Sequence, residues 1–201
     1  YKLKQRNNKT MAIKNDHLEH LVNEKEWLLQ EVNHRVKNNL QTIVSLLELQ
    51  SDSLSGDAHF ALQTSQNRIY ATSLLYQKLY RTENVSSVNM KVYITELVQH
   101  LQDALGSSTY VTVTLDIAPI ELDVSQGVPL GLIINEIITN SFKYAFDETI
   151  SYPEIVVTFA IEDGVASLVI KDNGIGFSDD GKDTFGTGLK LVKGLTGNIK
   201  G

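Results

Sequence analysis

The sequence predicts an α+β chain in two parts, a long helical hairpin followed by a sheet covered by helices. Three observations carry that reading. Residues 14–54 contain neither proline nor glycine and repeat apolar residues at spacings of three and four. The small polar stretch "SDSLSGD" (51–57) then separates them from a second such run. From residue 90 onward, helical periods give way to alternating apolar and polar segments with glycine-rich ends.

In chain order, the first helix spans 14–54, with Leu18, Leu21, Val22, Leu28, Leu29, Val32, Val36, Leu40, Ile43 and Leu47 as its apolar positions. A second helix runs from about Ala58 to Tyr80, with Leu62, Ile69, Leu75, Tyr76 and Leu79 on its apolar side. Two helices joined by a short turn form an antiparallel hairpin. Such a hairpin has too little to bury alone, which predicts pairing with a second copy into a four-helix bundle. "RTENVSSVN" (81–89) is polar and reads as a linker. A helix over Met90–Leu105, a strand within 109–117 and a helix over Ser125–Phe146 come next. Two strands in 154–174 flank the hairpin turn Asp163–Gly164. A glycine-rich segment leads into a last short helix. Strands and helices in this order imply one sheet with helices on it.

Composition narrows the function. The chain has 201 residues, 42% of them apolar, which allows one large or two small soluble domains. A formal charge of −6 without a long basic block argues against a nucleic-acid partner. No cysteine is present, which removes disulfides and thiolate metal sites and suits a reducing cytoplasm. The first 14 residues hold Lys2, Lys4, Arg6, Lys9 and Lys14 and no acid. Such a patch is either a solvated helix end or the cytoplasmic side of an inner membrane, next to a transmembrane segment or a sensor domain upstream of Tyr1. The chain starts without an initiator methionine and is read as a piece of a longer protein.

Three constellations carry chemistry. In "EVNHRVKNNLQ" (31–41), adjacent asparagines are poor helix formers, so something other than helix stability selects them. On a helical wheel Glu31 and Asn38 share the face of His34, while Val32, Val36, Ile43 and Leu47 lie opposite. His34 therefore points to solvent. Arg35 and Lys37 disfavour its imidazolium form, leaving a neutral nucleophile, and attract an incoming polyphosphate. Glu31 can orient the ring or take its proton, or it can pair with Arg35 four residues on.

The second constellation is "NEIITNSFKYAF" (135–146). Glu136, Asn140 and Lys143 fall on or near one helix face. Asn140 offers a hard oxygen to Mg²⁺, Lys143 suits a phosphate, and Glu136 can orient or deprotonate an attacking group. The third is "KDNGIGF" (171–177) with "FGTGL" (185–189). There a strand ends in Asp172 before Gly174 and Gly176, and Gly186, Thr187, Gly188 and Leu189 open a helix whose amides can meet phosphate. No G-K-[ST] follows, so this is not a Walker A loop.

Together, "NEIITNSFKY", "DNGIGF" and "FGTGL" resemble the N, G1 and G2 boxes of the Bergerat ATP-binding fold, shared by histidine kinases, gyrase and heat-shock chaperones. "LLQEVNHRVKNNLQ" with "SQNRIYATSLLYQKLY" resembles the dimerisation and phosphoacceptor hairpin of sensor histidine kinases of the HWE-related branch. Arg35 stands directly after the acceptor, as in that branch, and Asn33 replaces a histidine that is common beside it. The chain stops at "LTGNIKG", where the family usually continues into another strand.

The resemblance implies a helical-hairpin dimerisation domain followed by an α/β two-layer sandwich. It divides the chain into a signalling helix (1–17), a dimerisation and phosphotransfer hairpin (18–82), a linker (83–89) and an ATP-binding domain (90–201). It makes His34 the phosphoacceptor and Asn140 the Mg²⁺ ligand. Asp172 would accept the adenine amino group, Lys143 would contact phosphates, and Tyr144 would lie along the purine. Gly174, Gly176, Gly186 and Gly188 would bend around the nucleotide. The implied activity is transfer of the ATP γ-phosphate to His34 and then to an aspartate of a response-regulator receiver, in a homodimer built through residues 18–80. The alternative is a dimeric nucleotide-binding scaffold without turnover.

Overall fold

The computed structural model describes residues 2–51, 53–79, 87–105, 111–176 and 187–199. α1 (Lys2–Ser51) is a single helix of 50 residues, ~75 Å long at 1.5 Å per residue. It begins twelve residues before the run read from the sequence, because nothing in 2–13 breaks a helix. α2 (Gly56–Lys78) folds back along its second half. Ser51 and His59 close the turn, with Ser51 Oγ 2.9 Å from His59 Nδ1.

The face of α1 turned toward α2 takes in only part of the one the wheel selects. Asn33, Val36, Lys37, Leu40, Val44 and Leu47 are half-buried, whereas Val32 and Ile43 are exposed. The exposed set continues upward through Leu18, Leu21, Val22, Leu28 and Leu29. α2 is only 23 residues long and cannot cover them.

α2 differs more sharply from expectation. Its buried residues Ala71, Leu74, Leu75 and Leu79 belong to one continuous core with the second layer. The hairpin is therefore not left to find its whole partner in another chain. Its inner helix is sandwiched between α1 and the α/β domain.

The second part opens with β1 (Ser87–Asn89), a strand where the sequence reads as linker; residues 81–86 lie outside the described residues. α3 (Met90–Leu105) follows, then β2 (Thr112–Ile117), β3 (Glu121–Asp123) and α4 (Val124–Asn140). β1 pairs antiparallel with β3, Val88 opposite Leu122. Asp123 caps α4, accepting the Ser125 N–H at 2.8 Å. α4 ends in a π-turn, Ser141–Ala145, where the sequence predicts unbroken helix to Phe146.

β4 (Glu154–Glu162) and β5 (Val165–Asp172) form the predicted hairpin around Asp163 and Gly164, both with positive φ. β2 joins β4 in parallel, giving a three-stranded sheet in the order β2-β4-β5. Ile155, Val157 and Phe159 alternate inward from β4 to meet Ile94, Leu97, Leu101, Ile134 and Ile138 in the core. α5 (Thr187–Asn198) packs on α4. No helix among the described residues is long and apolar enough to cross a membrane.

Candidate functional site

The π-turn gathers most of the second-layer candidates. Helices that widen to a π-turn tend to do so at functional sites, because the extra residue redirects side chains. Here it follows Asn140 directly and places Ser141 beneath the end of β5. Ser141 Oγ donates to Asp172 Oδ2 at 2.8 Å, and the Gly174 N–H donates to Oδ1 at 3.2 Å. The Asp172 side chain is thus fixed at two points while the residue stays exposed. Ser141 has no role in the sequence reading. Its signal is only a hydroxyl that follows Asn140 by one residue.

Gly174 is required by close approach. A Cβ there would lie 2.3 Å from the carbonyl oxygen of Ala145. The neighbouring Ile175 N–H donates to that same oxygen at 2.8 Å. Gly176 has φ +74°, a left-handed conformation that glycine adopts without cost. Asn173 ties the strand end down, accepting from Glu154 N and donating to Tyr152 O, each at 2.8 Å.

The first turn of α5 meets α4 at the same place. A Cβ on Gly188 would sit 2.7 Å from Glu136 Oε2 and 3.6 Å from Asn140 Nδ2. Gly188, Glu136 and Asn140 are therefore neighbours, with Leu189 half-buried beside them. Thr187 lies in the first turn of α5, and Gly186 lies outside the described residues. Lys143 is exposed, its Nζ 3.5 Å from the Phe60 ring centroid and 4.9 Å from that of Tyr144. Tyr144 is 61% exposed.

Glu136 is 3% exposed and bound on both oxygens. Arg68 of α2 donates from Nε to Oε1 and from Nη2 to Oε2, each at 2.7 Å. Asn135 Nδ2 adds a bond to Oε1 at 3.1 Å. This pairing raises the Arg68 pKa above its ordinary value, the hydrogen bond to Glu136 outweighing burial. Arg68 carries no assignment in the sequence reading. The available signal was its place in the stripe with Ala71 and Leu75, where a cation must find a carboxylate.

His34 stands apart from this group. It is exposed on α1, in a cleft of about 420 Å³ shared with Gln30, Asn33, Lys37, Tyr76, Gln77, Lys78 and Glu96. None of Glu136, Asn140, Lys143 or Asp172 lines that cleft. Glu31 is engaged by Arg35, whose Nε donates to Oε1 at 2.7 Å. The exposed Asn38 accepts the Thr42 hydroxyl on its backbone carbonyl.

The donor set fits a hydrated Mg²⁺ and a nucleotide. Asn140 can supply one amide oxygen, and magnesium usually keeps several waters and takes its other ligands from phosphate. No cluster of three His, Cys, Asp or Glu side chains exists among the described residues to hold a metal by protein alone.

A helical hairpin bearing an exposed histidine, set on an α/β layer, is the architecture of histidine kinase domains. Residues 31–105 match the model of the histidine kinase family HisKA_2. The chain is 27% identical over 176 residues to the sensor histidine kinase PdtaS of Mycolicibacterium smegmatis, matching 85% of this chain and 35% of that protein. It is 25% identical over 158 residues to the blue-light-activated histidine kinase 2 of Erythrobacter litoralis, matching 76% of this chain and 44% of that protein. The chain thus spans less than half the length of these relatives. Its fold matches the histidine kinase domain of a blue-light activated histidine kinase of Erythrobacter litoralis with a TM-score of 0.61. That match has 22% identity and covers 86% of this chain and 81% of the other.

Proposed function

We propose that this chain is the kinase core of a two-component sensor, moving the ATP γ-phosphate to His34 and then to an aspartate of a response-regulator receiver. The observation that carries the reading is the convergence of Asp172, Asn140, Glu136 and Gly188 around the π-turn, in a chain that also bears an exposed His34.

In this reading Asp172, held by Ser141 and Gly174, accepts the adenine amino group, and Tyr144 lies along the purine. Lys143 and the amides of Gly186–Leu189 meet the phosphates, with Gly174 and Gly176 shaping the wall. Asn140 holds Mg²⁺, which neutralises phosphate charge when bound. A ring nitrogen of His34 attacks the γ-phosphorus as the bond to the β-phosphate oxygen breaks, and ADP leaves with that electron pair. The imidazole proton passes to Glu31, which shares the face of His34 and is partly exposed, while Glu136, with both oxygens on Arg68, is a positioning residue. A receiver carboxylate then displaces the histidine, taking the phosphoryl group. Arg35 and Asn38 stand beside the acceptor for both approaches.

The exposed apolar strip of α1, running through Leu18, Leu21, Leu28 and Val32, supports a homodimer within residues 18–80. Because α2 is already covered, α1 supplies most of that contact. The basic patch at 2–14 supports attachment to an upstream sensor or membrane segment on the cytoplasmic side.

Transfer is tested by incubating the chain with γ-labelled ATP and Mg²⁺, then adding receiver domains of the source organism. Label should enter the chain and leave it for one receiver within seconds to minutes. A chain that binds ATP but takes no label supports the scaffold reading instead. Sedimentation at micromolar concentration should give twice the chain mass; a monomer removes the dimer from the account.

A further inference from the structure

Three helices line the cleft that holds His34. Lys37 comes from α1, Lys78 from α2 and Glu96 from α3. Two cations against one acid leave the lining positive, in a chain whose net charge is −6. Lys37 lies three residues after His34, on the same side of α1, and has no carboxylate partner among the described residues. Lys78 is the unusual member. Its side chain is 9% exposed, whereas that of Glu96, which accepts from its Nζ, is 47% exposed. A lysine on a helix surface ordinarily carries its ammonium out to water. Here the ammonium is drawn into the acceptor's cleft and held by a carboxylate that water serves equally well. An ion pair so open on one side contributes little to stability. Stability alone does not account for a lysine in this place.

We propose that Lys78 is the phosphoryl-binding residue of the acceptor cleft, and that Glu96 holds its ammonium in place until the phosphoryl group on His34 displaces it. The inference rests on the kinase reading and deepens it. Asn140 and Lys143 serve the phosphates on the nucleotide side, and neither lines the His34 cleft. A phosphoryl group near neutral pH carries close to two negative charges. When the ring nitrogen bonds to phosphorus and ADP departs with the electron pair, that charge stays in the cleft and needs a counter-ion. Lys78 leaves Glu96 for the phosphoryl oxygens, and Lys37 meets them from α1. Glu96, already half open to solvent, turns to water. The same ammonium then screens the incoming receiver carboxylate from the phosphoryl charge as the P–N bond breaks.

The test compares Lys78→Met, which keeps the stem and removes the charge, with Glu96→Gln, which keeps the shape and frees Lys78. Both break the ion pair, so a merely structural contact loses equally in the two. The proposal requires opposite signs. With γ-labelled ATP and Mg²⁺, Lys78→Met should lower the initial rate of His34 labelling on the order of tenfold or more, as loss of a hydrogen bond to a charged group does. Its KM for ATP should not change. Glu96→Gln should raise the rate about two- to fivefold, the worth of an exposed ion pair. Phosphoramidate is a second donor that bypasses the nucleotide site. The imidazole nitrogen attacks its phosphorus, the P–N bond breaks and ammonia leaves with the electron pair. The same order of rates should hold with it, read against His34→Gln as background. Equal losses in the two variants overturn the proposal, as does a Lys78→Met rate equal to that of the wild type with both donors. Should a urea melt show that Lys78→Met does not fold, Glu96→Gln decides alone, and a rate that does not rise overturns it. Wild-type labelling by phosphoramidate but not by ATP refutes the kinase reading, and the phosphoramidate rates then decide the role of Lys78. Labelling by neither donor overturns both.

Discussion

Asp172→Asn separates recognition from architecture, because the structure shows where each atom of the new amide must go. The carboxylate accepts from Ser141 Oγ at 2.8 Å and from Gly174 N at 3.2 Å. An asparagine can leave its carbonyl on the Gly174 N–H and turn its NH₂ to Ser141, whose hydroxyl rotates to accept. The local fold then keeps both bonds, and stability should change by less than about 1 kcal/mol. The nucleotide fares differently. A hydrogen bond to a charged acceptor contributes about 1.5–3 kcal/mol, and here a donor comes to face the adenine amino group. The ATP dissociation constant should therefore rise roughly 10- to 150-fold at 1.4 kcal/mol per decade. GTP carries a carbonyl at that position, so its affinity should hold or improve, and the ATP preference should shrink. Calorimetric titration with both nucleotides, beside a urea melt, reads all three quantities. Equal losses for ATP and GTP with a lowered urea midpoint would show that Asp172 serves as a structural anchor rather than a base reader.

Two further outcomes follow from the packing of α2. Gly131→Ala gains about 1 kcal/mol of helix propensity, but its Cβ would lie 1.9 Å from the buried Tyr93 hydroxyl. Overpacking and the lost bond to Ala71 should leave a net destabilisation of about 1–4 kcal/mol in urea, reduced in a Tyr93→Phe background; a stabilised variant would contradict the contact. His100 stacks on Tyr70 with centroids 3.5 Å apart, and burial lowers its pKa below the ordinary value despite the opposing pull of Asp103. The unfolded chain then binds the extra proton first, so stability should fall as pH drops below about 6.5. His100→Phe should flatten that slope between pH 7.5 and 5.5, and an unchanged slope would assign it to another group.

Much of the fold is legible because local signals suffice for it. Asp163–Gly164 sets the β4–β5 turn, and Ile155, Val157 and Phe159 mark the inner face. β1 and β3 escape notice because three residues are too few to display alternation. The burial of α2 is illegible for a different reason. It depends on Gly127 and Gly131, four residues apart on α4, which let Leu75 and Tyr93 approach the helix closely. A wheel drawn for α2 alone cannot see that groove. It cannot show either that α1 outruns its partner and leaves Val32 and Ile43 exposed. At the site, Asp172, Asn140 and the glycines stand out by residue type and spacing. Ser141 and Arg68 do not, since their roles arise from the π-turn and from a contact 68 residues distant.

The central claim is that His34 is the residue that receives phosphate, and His34→Gln in the presence of labelled ATP and Mg²⁺ tests it most directly. A phosphoramidate on histidine is hydrolysed by acid and survives alkali, unlike a serine phosphate. The wild-type chain should carry such a label. His34→Gln should carry none, yet bind ATP with unaltered affinity, because position 34 is exposed on α1 and lines no part of the Asn140–Asp172 region. Acid-labile phosphate on the His34→Gln chain would move the acceptor to another of the five histidines and contradict the account.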